Sequence, residues 1–233
     1  VGGVPQAAID SDGDTGTPGI QTTDFVVDRK VDMTMVSNGN ATVVPNSTDQ
    51  VLSFTLTNTG NDTHGYLLTA VPGVDATEDD FDMNSVRIYI DNGTTSGVLD
   101  GSDTLYSAGT NVGDLAPTPG AGSSIDLLIV ANTPGTPASG DTSLYHLLAQ
   151  ATDAGTTTPT TATAGADDPD AVDTAFADAA GTAGVDGDRD GRISDDGTYT
   201  VDAAALVLTK SSEVTDDGFG TAAPNAKAIP GAT

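Results

Sequence analysis

Apolar and polar residues alternate along much of this chain with the period of two that an extended strand requires. In QVLSFTLTNTG (50–60), Leu52, Phe54 and Leu56 fall on one side, and Val51, Ser53, Thr55 and Thr57 on the other. In DFVVDRKVDMTMV (24–36), Phe25, Val27, Arg29, Val31, Met33 and Met35 oppose Val26, Asp28, Lys30, Asp32 and Thr34, with one face imperfect. GYLLTAV (65–71), SVRIYID (85–91), SIDLLIVAN (124–132), SLYHLLAQAT (143–152) and GTYTVDAAALVLTK (197–210) continue the series. Short strands separated by Gly, Pro, Asn and Asp, with no long helical pattern between them, predict an all-β fold, a β-sandwich. One segment has helical signals: DPDAVDTAFADAAG (168–181), where Pro169 suits a first turn and Gly181 a last one. It predicts a short helix over 169–180 within a loop insertion, 153–185, whose low-complexity first half (153–167) reads as an exposed loop.

The pattern divides the chain into an N-terminal arm (1–22), a sandwich domain (23–210) and a C-terminal tail (211–233). Both terminal segments are rich in Gly and Pro yet carry spaced apolar residues: Val1, Val4 and Ile9 in the arm, and Val214, Phe219 and Ile229 in the tail.

Composition sharpens this picture. The 233 residues include 34 Asp plus Glu against 7 Lys plus Arg, a net charge of −27. Such a polyanion repels nucleic acid and anionic membrane surfaces, and attracts divalent cations. The acid is nearly all aspartate, which favours turns and makes a compact oxygen ligand. Aromatics make up 4% and there is no Trp, so the core must be aliphatic and lean, and bound ions or neighbouring subunits would help to hold it. With no cysteine, disulfides and thiolate metal sites are excluded. No hydrophobic run approaches a membrane span. Val1 opens a Gly-Pro-Ala stretch that suits a mature, exported chain, and the Thr-, Gly-, Asp- and Asn-rich, Lys-poor style fits an extracellular protein.

The acidic residues concentrate in loops. In DGDRDGRISDDG (186–197), Asp186, Asp188 and Asp190 occupy positions one, three and five of a calcium loop, with Gly191 at the sharp turn. Arg192 would offer its carbonyl at seven, Ile193 would pin the loop, and Ser194 would hold a water. Position twelve is Gly197 where a Glu is expected, so Asp195 or Asp196 must close the shell. Hard oxygen ligands in a flexible loop select Ca2+. A second candidate is IDNGTTSGVLDGSD (90–103), with Asp91, Asp100 and Asp103, although Thr94 and Thr95 stand where further acids would strengthen it. A third is IDSDGDTG, with Asp10, Asp12 and Asp14 alternating and no closing ligand of its own, which a neighbouring subunit could supply. Asp79, Asp80 and Asp82 read as solvated turn residues. His64 and His146 are lone histidines with structural roles. No nucleophile elbow, phosphate loop or dinucleotide fingerprint is present.

Several segments together carry a resemblance: TDFVVDRKVDMTM, DQVLSFTLTNTGNDTHGYLL, VRIYIDNG with VLDGSDTLY, and AALVLTKSSEV with NAKAIPGAT. Over residues 20–233 the chain resembles secreted bacterial surface proteins with Ig-like "conserved repeat" β-sandwich domains. The resemblance implies an Ig-like or jelly-roll-type sandwich with long acidic loops and extended terminal segments, a structural role outside the cell or at its surface, and no catalysis. The expectation is therefore a secreted calcium-binding structural subunit whose partners are copies of itself, assembled into a filament, tube or surface layer. A non-polymerising module of a cell-surface adhesin is the alternative, and a carbohydrate-active or other enzyme a third.

Overall fold

The structure, a computed structural model, describes residues 26–74, 77–166, 168 and 171–202. Eleven strands are described: β1 (Arg29–Val31), β2 (Met33–Ser37), β3 (Ala41–Val43), β4 (Gln50–Asn58), β5 (His64–Pro72), β6 (Asn84–Ile90), β7 (Thr104–Leu105), β8 (Ser124–Asn132), β9 (Thr142–Asp153), β10 (Thr174–Phe176) and β11 (Arg192–Val201). Five form an antiparallel sheet in the order β2-β4-β8-β6-β7, and four form a second sheet in the order β3-β11-β9-β5. β1 and β10 make a separate two-stranded parallel ribbon. The chain is all-β, with no helix among the described residues.

The inward positions of the two larger sheets build one core. Leu52, Phe54 and Leu56 of β4 meet Leu127 and Ile129 of β8, and all five are fully buried. Tyr66 and Leu68 of β5, Leu147 and Ala149 of β9, and Ile193 and Tyr199 of β11 supply the opposite wall. Tyr199 bridges the sheets directly, its hydroxyl donating to the Ile129 carbonyl at 3.0 Å and lying 3.3 Å from that of Gln50. Its ring meets Tyr145 edge-on, with centroids 6.3 Å apart. β8 is buried on both faces from Leu127 to Ala131, which is why SIDLLIVAN is nearly continuously apolar.

The expected β24–36 segment is divided at Asp32. Residues 29–31 join the ribbon and residues 33–37 join the five-stranded sheet, so one period-two run serves two sheets. Asn61 holds this switch: its Oδ1 accepts from the Lys30 amide and its Nδ2 donates to the Asp28 carbonyl, both at 2.7 Å. Arg29 forms ion pairs with Asp62 and Asp153, each at 3.0 Å, and its guanidinium lies 3.2 Å from His64 Nδ1.

The helix expected over 169–180 is not formed by its described residues. Thr174–Phe176 pair in parallel with Arg29–Val31, and the Ala177 amide continues the ladder by donating to Val31 at 2.9 Å. Thr and Phe suit a strand, and a pairing partner overrides the helical preference of the surrounding alanines. The 153–185 insertion is thus not all loop. β11 starts at Arg192, five residues before the expected strand, so Asp195 and Asp196 lie within it. The expected continuation to Lys210, the arm (1–22) and the tail (211–233) lie outside the described residues.

His64 is fully buried, and burial, then the neighbouring Arg29 charge, pushes its pKa below the usual value of 6.5. Asp62, Asp153 and the Thr152 carbonyl oppose the shift without cancelling it. A folded-state pKa below the unfolded one means that the unfolded chain binds the extra proton first. Stability from this group is complete above pH 6.5 and is lost as pH falls below it. Denaturant titrations at pH 7.5 and pH 5.5 are expected to show wild type losing more stability on acidification than His64→Asn; equal losses would remove His64 from the account.

Candidate metal centre

The segment from β10 to β11 folds around buried carboxylates. Asp178, two residues past β10, is fully buried. Its Oδ2 accepts from the Asp190 amide at 3.0 Å, both oxygens lie 3.2 Å from the Gly191 amide, and its carbonyl accepts from the Arg189 amide at 3.0 Å. Asp190 in turn accepts from Gly187 and Arg192, each at 3.0 Å. Arg189 and Gly191 take φ of 58° and 74°, which gives the loop its sharp bend. A Cβ on Gly191 would stand 2.9 Å from the Phe176 ring, so only glycine lets the loop close on β10.

Asp186 is 7% exposed. Its Oδ2 accepts from the Ser194 hydroxyl at 2.6 Å, and that hydroxyl accepts from the Ala183 amide at 2.9 Å. Gly181 packs so closely here that a Cβ would lie 2.0 Å from Asp186 Oδ2. The other oxygen, Oδ1, is buried without any hydrogen-bond partner. A buried unpaired carboxylate oxygen is costly, and native proteins rarely leave one.

Charge aggravates the cost. Burial raises the pKa of Asp186 above its ordinary value, and repulsion from Asp190 and Asp178 adds to it, against hydrogen bonds from Ser194 and Gly181. Burial likewise raises Asp178, with Asp190 adding to the shift and backbone amides opposing it. Among the described residues neither Asp178 nor Asp186 pairs with a Lys or Arg. Arg192 stands 3.9 Å from Asp190 and gives its hydrogen bonds to Gln150 and the Val185 carbonyl.

Asp190 lies near enough to Asp186 for its charge to act on it, and Asp188 is exposed. Arg192 opens β11. Asp195 and Asp196, expected to close the shell, are committed to β11, opposite Leu147 and His146. Asp195 caps β2, accepting from the Ser37 amide at 2.7 Å, and its other oxygen accepts from the Asp196 amide at 2.9 Å. Asp178, which the spacing of the loop does not reveal, comes in from the other side. Its one mark in the sequence is that it interrupts the Ala-rich run before the loop. No group of three or more His, Asp or Glu side chains among the described residues is arranged to hold a metal ion as it stands. The loop's own amides engage the oxygens of Asp178 and Asp190, and cation binding would require the carboxylates to draw together.

The second acidic loop is satisfied from within. Asp91 accepts from Gly93 and Gly97 at 3.1 and 2.7 Å, and Asp103 from Asn92 and Asp100 at 3.0 and 2.7 Å. Asp100 accepts from the hydroxyl and amide of Ser102, the hydroxyl first among the causes that lower its pKa. Asp100 and Asp103 approach each other at Gly93, where a Cβ would touch both. Asp10, Asp12 and Asp14 lie outside the described residues. Asp79, expected in a solvated turn, is instead 5% exposed and accepts from the Leu144 amide at 2.9 Å. Asp80 links the same turn to Thr142, accepting from its amide at 2.9 Å.

No family model matches the chain, and no curated protein matches it.

Proposed function

We propose that this chain is a secreted, calcium-binding structural subunit that assembles with copies of itself outside the cell. The observation that carries the reading is the unpaired, buried oxygen of Asp186 beside Asp178 and Asp190, in a chain of net charge −27. Calcium would offset the repulsion and bind only the folded state, and so stabilise it by mass action. Between subunits the same ion would bridge acidic surfaces that otherwise repel. Among the described residues no helix is long and apolar enough to cross a membrane.

Assembly has a physical opening in the sandwich. Leu68, Ala70, Val86, Ile88, Leu105 and Tyr106 line a groove of about 430 Å³ between the edge of β5 and β6–β7. Leu105 is 54% exposed there. Edge strands and apolar grooves of this kind accept an added strand from a second copy, and a contact that does not close on itself extends into a filament or tube. Negative-stain microscopy of the purified chain, first with calcium and then with chelator, tests the proposal. Regular polymers in calcium that disperse on chelation are expected; monodisperse particles in both conditions would overturn it.

A further inference from the structure

We infer that one divalent cation binds at the buried, unpartnered oxygen of Asp186 and draws Asp190 and Asp178 onto it, with Asp178 its ligand from outside the loop, so that the ion ties the β1–β10 ribbon to β11. This rests on the calcium reading above and names the residue and the segment that the ion controls.

Three observations converge. The Asp186 residue is more than nine-tenths buried, and its Oδ1 has no partner in the protein. The Asp178 carboxylate is held against the same loop by the amides of Asp190 and Gly191, and its charge and that of Asp190 both act on Asp186. Neither buried acid pairs with a Lys or Arg among the described residues. Among the described residues Asp178 Oδ1 is approached by the Gly191 amide alone and keeps a second lone pair, so Asp178 can ligate without giving up its turn. Oxygen-only donors around a flexible loop suit Ca2+, with Asp188, loop carbonyls and water completing the six to eight ligands it takes.

The position of Asp178 gives the site its consequence. β10 has three residues, and its ladder is with β1 alone. Its attachments toward β11 include the Phe176 ring against Gly191, the Asp178 carbonyl on the Arg189 amide and the Asp178 carboxylate on the Asp190 and Gly191 amides. A ligand at Asp178 would therefore clamp the ribbon, and with it Arg29, at which β1 begins. A loop that supplied every ligand itself would leave the ribbon indifferent to calcium.

The competing role for Asp178 is that of a simple cap for the Asp190 and Gly191 amides. Asp178→Asn separates the two, because its amide oxygen still accepts while its charge is gone. Calcium is titrated into the full chain and followed by the amide resonances of Gly187 and Gly191, with hydrogen exchange of residues 29–31 and 174–176 measured at both endpoints. Wild type is expected to show saturable shifts, and ribbon protection that rises at least tenfold with calcium. Asp178→Asn is expected to weaken calcium binding at least tenfold and abolish the calcium-dependent protection. Asp186→Asn, which keeps its Ser194 contact, is expected to do the same and carries the test if Asp178→Asn does not fold. Unchanged affinity, or binding that leaves ribbon exchange unaltered, would overturn the clamp while the calcium reading stands. No calcium-dependent shift in wild type would overturn both.

Discussion

Saturating calcium is expected to raise the melting temperature of this chain by about 5–10 °C at fixed ionic strength. A ligand at a hundredfold its dissociation constant stabilises the state that binds it by about 2.7 kcal/mol. In a domain of this size each kcal/mol moves the midpoint by about 2–4 °C. Sodium chloride acts on a different part of the problem. It screens the diffuse repulsion of a −27 surface, with a Debye length of about 8 Å near physiological strength, but it cannot supply a partner to Asp186 Oδ1, which solvent does not reach. Melting scans over a salt series, with calcium or with chelator, are therefore expected to give two rising curves that stay apart. Curves that merge at high salt would show that calcium acts as a screening ion and not as a ligand.

The second large effect lies in the core. Phe54→Ala is expected to cost about 3–5 kcal/mol, the range for removing a fully buried aromatic ring. Phe54 is completely buried on β4, opposite Leu127 of β8, on the face turned to the four-stranded sheet. With 4% aromatics in the chain, few other side chains could fill the space it leaves. Val36→Ala, on a neighbouring strand but 52% exposed, is expected to change stability by less than about 0.5 kcal/mol. Denaturant unfolding of both variants in calcium measures the contrast. Comparable losses at the two positions would mean that the sandwich core is not where the structure puts it.

The long strands were legible because their alternation runs for many residues and one face of each is buried. β4, β5, β8 and β9 fall within about two residues of the runs that predict them. Three short strands, β3, β7 and β10, left no such trace. Two or three residues cannot display a period, and their conformation comes from a partner far along the chain: β10 is a strand because Arg29–Val31 lie beside it. The same limit applies to the metal centre. The spacing of Asp186, Asp188 and Asp190 with Gly191 marks the loop as a calcium candidate, and with Gly197 where a Glu is expected the proposed site needs a carboxylate from elsewhere. The spacing does not show from where. Asp195 and Asp196 are nearer in sequence, but the pairing of β11 with β9 draws both into the sheet, and Asp195 caps Ser37. Asp178 reaches the loop because β10 pairs with β1, a tertiary contact that no local pattern records.

The acidic loops also differ in a way that composition conceals. Asp91, Asp100 and Asp103 sit among amides and a hydroxyl that satisfy them. Asp178 and Asp186 are as acidic in sequence, yet burial, with repulsion from Asp190, sets them apart. The proposed need for a cation rests on where a carboxylate is buried and what faces it, not on how many stand in a row.

The central claim is that the loop before β11 holds a divalent cation between Asp178, Asp186 and Asp190. Crystals of the full chain grown in millimolar calcium, with data collected at a wavelength where calcium scatters anomalously, test it most directly. The account predicts an anomalous peak about 2.3–2.6 Å from a carboxylate oxygen of each of the three residues. A well-ordered loop with no peak, and with Asp186 Oδ1 still unpartnered, would contradict it.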